Sequence, residues 1–388
     1  MRDSARIGFS RLLTRYALTA NSLPAADQAV QLTPADPEAH RARGLLLNRL
    51  RRPADAEAAL EIATSLRDGP EDLWIDLGNT REELGDREGA LAAMDQAVRA
   101  APHYAHTHWQ RGNLLLRLGR YTQAFADLRQ AAASNRKYFP TLIDLAWGLT
   151  GDARQSEALV QLRDDTERLE FARFLARKGK GADVLEQVRL LSAPLSDENK
   201  AELVGLLTAV KNFKAAFALW NGQTEAGIVN GGFEEPLVFD NTVPFRWSVL
   251  QGRPKLALDI SEKVSGEKSL QVAFDGEWNP GATLLSQTVL VEPYRQYQLK
   301  FFVKTKDLVT GGPPQIVLTD ATNNRILLKS DPFPSGSGPW SQMRVAFTAP
   351  SAAIVIDLAR ENCAASPCPI FGLVWLDDFS LEQLGDEL

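Results

Sequence analysis

Two periods of hydrophobicity divide the chain. From residue 3 to about residue 220, apolar side chains recur at intervals of three and four, the spacing of one helix face. After Ile228 that period stops, and apolar and polar residues alternate over short stretches, as in strands with one buried face. The clearest helical stretch is 71–104, which reads as a helix, a Gly85-Asp86 turn and a second helix. Trp74 and Leu77 share a face of the first helix. Gly78 and Ala90 are small enough for the two helices to approach closely. Ala97 packs the second helix, and Pro102 stops it.

The same pattern returns thirty-four residues away in both directions. In 37–70, Gly44, Ala56, Leu60 and Ala63 take the places of Gly78, Ala90, Met94 and Ala97. In 105–138, Gly112, Tyr121, Ala124, Leu128 and Ala131 hold the register. The copy at 139–172 is decayed: Leu142, Leu145, Ala146, Ala158 and Leu162 fit, but Asp165 stands where the others have alanine. A weak first unit, 3–36, offers Leu12, Leu13, Tyr16, Ala29 and Pro34. Four short helices are predicted at 171–178, 183–191, 196–210 and 214–220. Ser196 would start the third and Asn212 would end it. They are expected to extend or cap the array, whose end would otherwise be an open apolar surface.

Nine strands are predicted at 255–260, 269–274, 283–291, 296–304, 315–319, 326–329, 343–348, 354–358 and 374–381. Leu270, Val272 and Phe274 alternate with Ser269, Gln271 and Ala273. Tyr297, Leu299, Phe301 and Val303 alternate with Gln298, Lys300, Phe302 and Lys304. Close spacing of so many short strands indicates a β-sandwich. The fold class is therefore multidomain α + β: an all-α solenoid over 1–224, then an all-β jelly roll over 225–388, joined with little linker.

The first half resembles tetratricopeptide repeat (TPR) proteins, most specifically over 37–138. The second half resembles galactose-binding-like jelly rolls, in particular carbohydrate-binding modules of the family 4/9 type. That likeness rests on the opening Asn230-Gly231-Gly232-Phe233-Glu234, then Trp247, then Gly266-Glu267-Lys268-Ser269-Leu270. It continues through Gln287, Tyr297 and Gly338-Pro339-Trp340 to the closing Trp375-Leu376-Asp377-Asp378-Phe379. The combination also resembles bacterial proteins associated with exopolysaccharide or cell-surface assembly.

Each resemblance implies a site. In related jelly rolls a structural calcium lies between the opening Glu and the closing Asp, here Glu234 and Asp377. By alternation, Asp377 is expected to face the interior with Trp375 and Phe379, where a buried carboxylate needs a partner. Calcium is one such partner; hydrogen bonding to backbone or to a basic side chain is the other. No other cofactor is required. For sugar, Trp278 is the candidate platform, in the turn-rich Asp275–Pro280 stretch, with Gln287, Gln298 and Lys300 as polar contacts. The alternative is that Trp278 caps the end of the sandwich. Trp247, Trp340 and Trp375 read as core. In TPR arrays the first helix of each pair lines the groove, which places Arg41, Asn79, Trp109, Asn113, Arg117 and Trp147 there. Asn amides can donate and accept toward an extended peptide at once.

Composition narrows the functional classes. Of 388 residues, 44% are hydrophobic and 24% charged, an ordinary globular balance. A net charge of −6 lacks the basic footprint of a nucleic-acid partner. No apolar run has the length of a membrane helix, and residues 1–20 have no signal-peptide core. The only cysteines, Cys363 and Cys368, lie in one Pro-containing loop, which suggests a local disulfide; unrelated thiols or zinc are the alternatives. A disulfide would place the protein outside the cytoplasm, in the periplasm or at the cell surface, with a leader or anchor expected beyond this chain. His103, His106 and His108 straddle a repeat junction, a poor geometry for a shared metal. No nucleophile elbow, P-loop, dinucleotide fingerprint or zinc-protease helix occurs. The expectation is a non-enzymatic adaptor that binds a protein partner in its groove and a polysaccharide on its jelly roll. A pure protein scaffold with a structural jelly roll is the alternative.

Overall fold

The computed structural model describes residues 2–67, 69–222, 227–237, 243–249, 254–279, 281–363 and 368–385, without the side chains of 2–4. The chain forms two compact units, Met1–Arg163 and Asp164–Leu388.

The first unit is built from helix pairs: α1 (Arg2–Ala20) with α2 (Leu23–Leu32), α3 (Pro37–Arg49) with α4 (Pro53–Leu66), and α5 (Glu71–Glu83) with α6 (Arg87–Ala100). Then follow α7 (Ala105–Arg117) with α8 (Tyr121–Ser134), and α9 (Phe139–Thr150) with α10 (Ala153–Val160). The repeat pattern has a direct physical expression in its glycines. A Cβ at Gly44 would lie 2.7 Å from Leu60 Cγ, one at Gly78 3.0 Å from Met94 Cε, and one at Gly112 2.9 Å from Leu128 Cγ. Each glycine thus admits the large side chain of its partner helix. The turn inside a pair needs a left-handed residue. Gly85 (φ 82°), Gly119 (φ 74°) and Gly151 (φ 64°) supply it, and in the second repeat Arg51 adopts φ 58° instead. Helix starts are set by Asp36, whose carboxylate accepts from Glu38 N, by Asp86, which accepts from Gly89 N, and by Pro37 and Pro53 in the first turn.

The second unit opens with α11 (Asp165–Arg177), α12 (Gly181–Arg189), α13 (Asp197–Ala209) and α14 (Phe213–Asn221). Ser196 caps α13 as expected, accepting from Asn199 N. Asn212 does not end α13; its side chain accepts from Ala215 N and so begins α14. Helix α14 is joined to the strands that follow by an aromatic group. Phe217 meets Phe245 edge-on at 5.1 Å, Trp220 stacks on Phe245 at 5.8 Å, and Arg246 lies over the Trp220 ring. Lys211 Nζ donates to Ala321 O at 3.2 Å.

The strands are β1 (Ser248–Val249), β2 (Lys255–Asp259), β3 (Ser269–Asp275), β4 (Thr283–Leu290), β5 (Gln296–Thr310), β6 (Pro314–Asp320), β7 (Ile326–Lys329), β8 (Gly336–Thr348), β9 (Ala353–Arg360) and β10 (Ile370–Gln383). They form two antiparallel five-stranded sheets, β1-β4-β9-β6-β7 and β2-β3-β10-β5-β8. All nine predicted strands occur. The core between the sheets holds the expected alternating residues, among them Leu270, Val272, Leu299, Phe301, Ile354 and Ile356.

Strand β10 departs from simple alternation. Val374 and Leu376 point into the core, so Trp375 and Asp377 lie on the opposite face, against expectation. A bulge between Asp377 and Ser380, with Asp378 at φ 51°, then returns Phe379 to the core. One inserted residue switches the face of everything beyond it. Asp377 is nonetheless fully buried, because the loop between β2 and β3 closes over it: Val264 N and Ser265 N donate to its Oδ2.

Candidate functional site

The repeat unit presents the expected groove residues on its first helices, and ties two of them, Arg41 and Arg117, to acidic partners that sequence reading missed. Arg41 of α3 donates from Nε to Asp76 of α5 at 2.7 Å, with Asp72 at 3.4 Å. Arg117 of α7 reaches back to Glu82 of α5, Nη2 to Oε2 at 2.7 Å. Asn48 donates to Thr80 in the same way. Arg41–Asp76 and Glu82–Arg117 are both 35 residues apart in sequence, one repeat plus one position. Opposite charges at that separation are the signal that would have found them. Burial pushes the Asp76 carboxyl up, and the Arg41 guanidinium only partly offsets it. Asn79 is exposed. Asn113 donates to Trp109 O at 2.9 Å, and the Trp109 ring stacks on Tyr138 at 4.5 Å. Trp147 is half-buried.

A second cluster lies between α6, α7 and α8, beside a cleft of about 380 Å³ lined by Leu91, Asp95, Arg111, Leu115 and Arg120. His108 directs Nδ1 at Asp127 (3.1 Å) and Nε2 at Pro102 O (2.8 Å). It does not join His103 and His106, and among the described residues no group of three or more His, Cys, Asp or Glu is arranged to hold a metal ion.

In the sandwich the four expected sugar contacts separate. Trp278 is not an open platform. It is 6% exposed, stacks on Phe274 at 5.5 Å and belongs to the core, because the turn at Gly276 (φ 113°) folds its segment back over the sandwich end. Gln287 is 1% exposed, and its amide is used by the backbone of Val229, which donates to Oε1 (3.2 Å) and accepts from Nε2 (2.8 Å). Gln298 and Lys300 do share a surface, the outer face of β2-β3-β10-β5-β8.

That face carries residues the sequence reading placed in the core or did not single out. Opposed pairs across β5 and β8 put Lys300 beside Arg344 and Phe302 beside Gln342. Phe302 is half-buried, as is Trp340 on the edge strand β8, whose indole Nε1 has no acceptor among the described residues. Farther in, Trp375 donates from Nε1 to Asp259 at 2.8 Å beneath Lys304, whose Nζ also meets Glu262 at 2.6 Å. Of the tryptophans expected in the core, Trp247 lies between the sheets; Trp375 is buried too, at 4% exposed, but on the outer face beneath Lys304, and Trp340 is only half-buried. Asp259 sits at about 2. Burial pushes it up, but bonds from the Ser261 hydroxyl, the Trp375 indole and the Ser261 and Glu262 backbone outweigh that.

The proposed calcium pair comes together but is already occupied by donors. A Cβ on Gly232 would stand 3.9 Å from both Glu234 Cγ and Asp377 Oδ1. Glu234 accepts from Glu267 N (2.9 Å) and Lys268 N (3.3 Å). Asp377 accepts from Val264 N and Asp378 N, each at 2.8 Å. These backbone N–H groups supply the hydrogen-bonding partner expected for a buried carboxylate as the alternative to calcium.

Cys363 and Cys368 form a disulfide. No helix among the described residues is long and apolar enough to cross a membrane.

Residues 19–72 and 75–138 match the family model of the tetratricopeptide repeat. The N-terminal helices are thus a tetratricopeptide repeat region, and an all-β region follows. Repeats of this kind present extended surfaces to protein partners. None of the curated proteins matches the chain. Among solved structures, the chain is similar to MamA at 14% identity and a TM-score of 0.34, over 41% of this chain and 89% of that one. It is similar to pilF of Pseudomonas aeruginosa at 16% identity and 0.34, over 56% and 90%. It is also similar to a CBM4 protein at 13% identity and 0.30, over 40% and 99%.

Proposed function

We propose that this chain is a non-enzymatic adaptor of a bacterial envelope or exopolysaccharide system. Its repeats dock a protein partner, and the outer face of β2-β3-β10-β5-β8 holds a polysaccharide. The observation that carries the glycan half is the pairing of half-buried rings with amides and cations on that face: Phe302 beside Gln342, Lys300 beside Arg344, and Trp340 at the edge. A pyranose stacks its CH face on a ring while amides and charges read its hydroxyls. The disulfide supports a place outside the cytoplasm. On the repeats, Asn79 is exposed between the Arg41–Asp76 and Glu82–Arg117 pairs, in position to meet an extended peptide.

The test is a glycan array probed with the full chain. Binding that weakens about tenfold or more in Phe302→Ala and Trp340→Ala, with unchanged thermal stability, supports the reading; stacked rings contribute on this scale. A folded protein that binds no glycan leaves the second reading, a protein scaffold with a structural jelly roll. The pairs Lys300–Glu382 and Lys304–Glu262 favour that one, because they already neutralise two cations of the face.

A further inference from the structure

At the end of β9 the side chain of Arg360 is 2% exposed. Its bonds among the described residues go to neutral acceptors: Nε to Gly312 O at 2.9 Å, Nη1 to Trp278 O, and Nη2 to Thr310 Oγ1 at 2.8 Å and Pro369 O at 3.0 Å. No carboxylate pairs with it there. A buried cation without an anion is an expensive arrangement, and burial draws this guanidinium below the usual arginine range. The same Nη2 lies 3.0 Å from Cys368 Sγ and 4.0 Å from Cys363 Sγ. The two sulfurs of the disulfide are therefore unequal. Cys363 Sγ packs against the backbone of Gly311 and Gly312, where an added Cβ would come within 3.3 and 3.1 Å, so that side is closed and an incoming thiol approaches from the partly exposed side. Both cysteines are half-buried rather than enclosed.

We propose that Cys363–Cys368 is a thiol–disulfide exchange site, with Cys363 the attacked sulfur and Cys368 the leaving thiolate, received by Arg360. The partner class is a thiolate, either a small thiol or one cysteine of a dithiol protein. The incoming thiolate forms a bond to Cys363 Sγ, the Cys363–Cys368 bond breaks, and its electron pair stays on Cys368 as a thiolate. That anion is the counter-charge Arg360 lacks in the oxidised state. A second thiol then attacks the adduct, releasing Cys363 and the partner's own disulfide; two electrons and two protons pass in all. A nearby cation lowers a thiol's pKa and makes it the better leaving group. Because Arg360 also holds the Trp278, Thr310–Gly312 and Pro369 segments, exchange would be felt across that end of the sandwich.

The experiment treats the full chain with glutathione, quenches with acid and maps the mixed disulfide by peptide mass spectrometry, in native buffer and in denaturant. A cationic neighbour shifts a thiol by at least about one unit, so the native adduct is expected on Cys363 over Cys368 by about ten to one. The ratio should fall to near one in denaturant, where Arg360 is no longer held against the sulfur. A native ratio near one, or one that favours Cys368, overturns the proposal, as does absence of any adduct in the folded state. Arg360→Lys, which keeps the charge, should keep the bias, and Arg360→Gln should lose it. If neither variant folds, the native-to-denatured comparison decides.

Discussion

Arg111 grips Asp127 through two parallel bonds, Nε to Oδ2 at 2.6 Å and Nη2 to Oδ1 at 2.7 Å, and the carboxylate is only 5% exposed. The pair ties α7 to α8, and Asp95 extends it to α6. Bonding to Asp127 is the largest influence on Arg111 and raises it further above its ordinary value. Removing one partner leaves a buried charge behind. Arg111→Met should therefore destabilise the repeat unit by about 3 kcal/mol, read as a lower midpoint in urea. Asp127→Asn made on top of Arg111→Met should recover part of that loss. A purely additive double variant would show that the two residues do not act as a pair.

Arg51 occupies the left-handed position that Gly85 and Gly119 fill in the next two repeats. A residue with a Cβ is strained there, and glycine is not. Arg51→Gly should raise stability by about 0.5–1 kcal/mol, less whatever glycine loses in unfolded-chain entropy. Thermal melts of the two proteins give the sign directly.

The repeat glycines should rank by the stiffness of what they face. At Gly112 an added methyl meets the branched carbon of Leu128, whereas at Gly78 it meets the flexible end of Met94. Gly112→Ala should cost about 1–3 kcal/mol. Alanine regains about 1 kcal/mol of helix propensity at either position, and Gly78→Ala should cost less because Met94 can move. Equal losses would mean that helix separation, rather than the individual contact, governs the site.

Asp259 is depressed in the folded protein to about 2, below the roughly 3.9 of a free aspartate. Its contribution to stability is thus complete above about pH 4 and is lost as pH falls through about 2. Between those values the wild-type melting temperature should drop more steeply than that of Asp259→Asn, which has no proton to gain. Parallel curves for the two proteins would remove Asp259 from the acid limb.

Chelation should leave the sandwich as it was. Burial pushes the Asp377 carboxyl up, and the N–H groups of Val264, Asp378 and Ser265 only partly pull it back. Glu234 and Asp377 already have their donors. A melt in EDTA should match the untreated protein within about 1 °C, whereas a metal-held structure would lose stability by mass action.

The helical half was legible because its period is built from sterics. Gly78 and Ala90 must be small wherever the repeat occurs, as are Gly44 with Ala56 and Gly112 with Ala124, so spacing alone reports the fold. The nine strands were legible for a similar reason, since Leu270, Val272 and Phe274 alternate without interruption. What failed were positions decided by a single local event. The left-handed turn at Gly276 swings Trp278 inward, and alternation cannot foresee a turn. The bulge at Asp378 sends Trp375 and Asp377 to one face and Phe379 to the other, although all three are spaced by two. The side of Phe302 was legible from its alternation with Phe301 and Val303, but alternation does not say which outward rings gather beside amides and cations, because that depends on the pairing of β5 with β8.

The aromatic junction of Phe217, Trp220 and Phe245 bears on how the protein can be cut. A fragment begun where helices give way to strands would strip α14 from Phe245, which is fully buried, and would leave Ala321 O without Lys211. The compact unit that begins at Asp164 keeps both of these contacts. A jelly roll produced alone would carry a fresh apolar scar, and any stickiness it showed toward glycans or proteins would belong to the wound before it belonged to the fold.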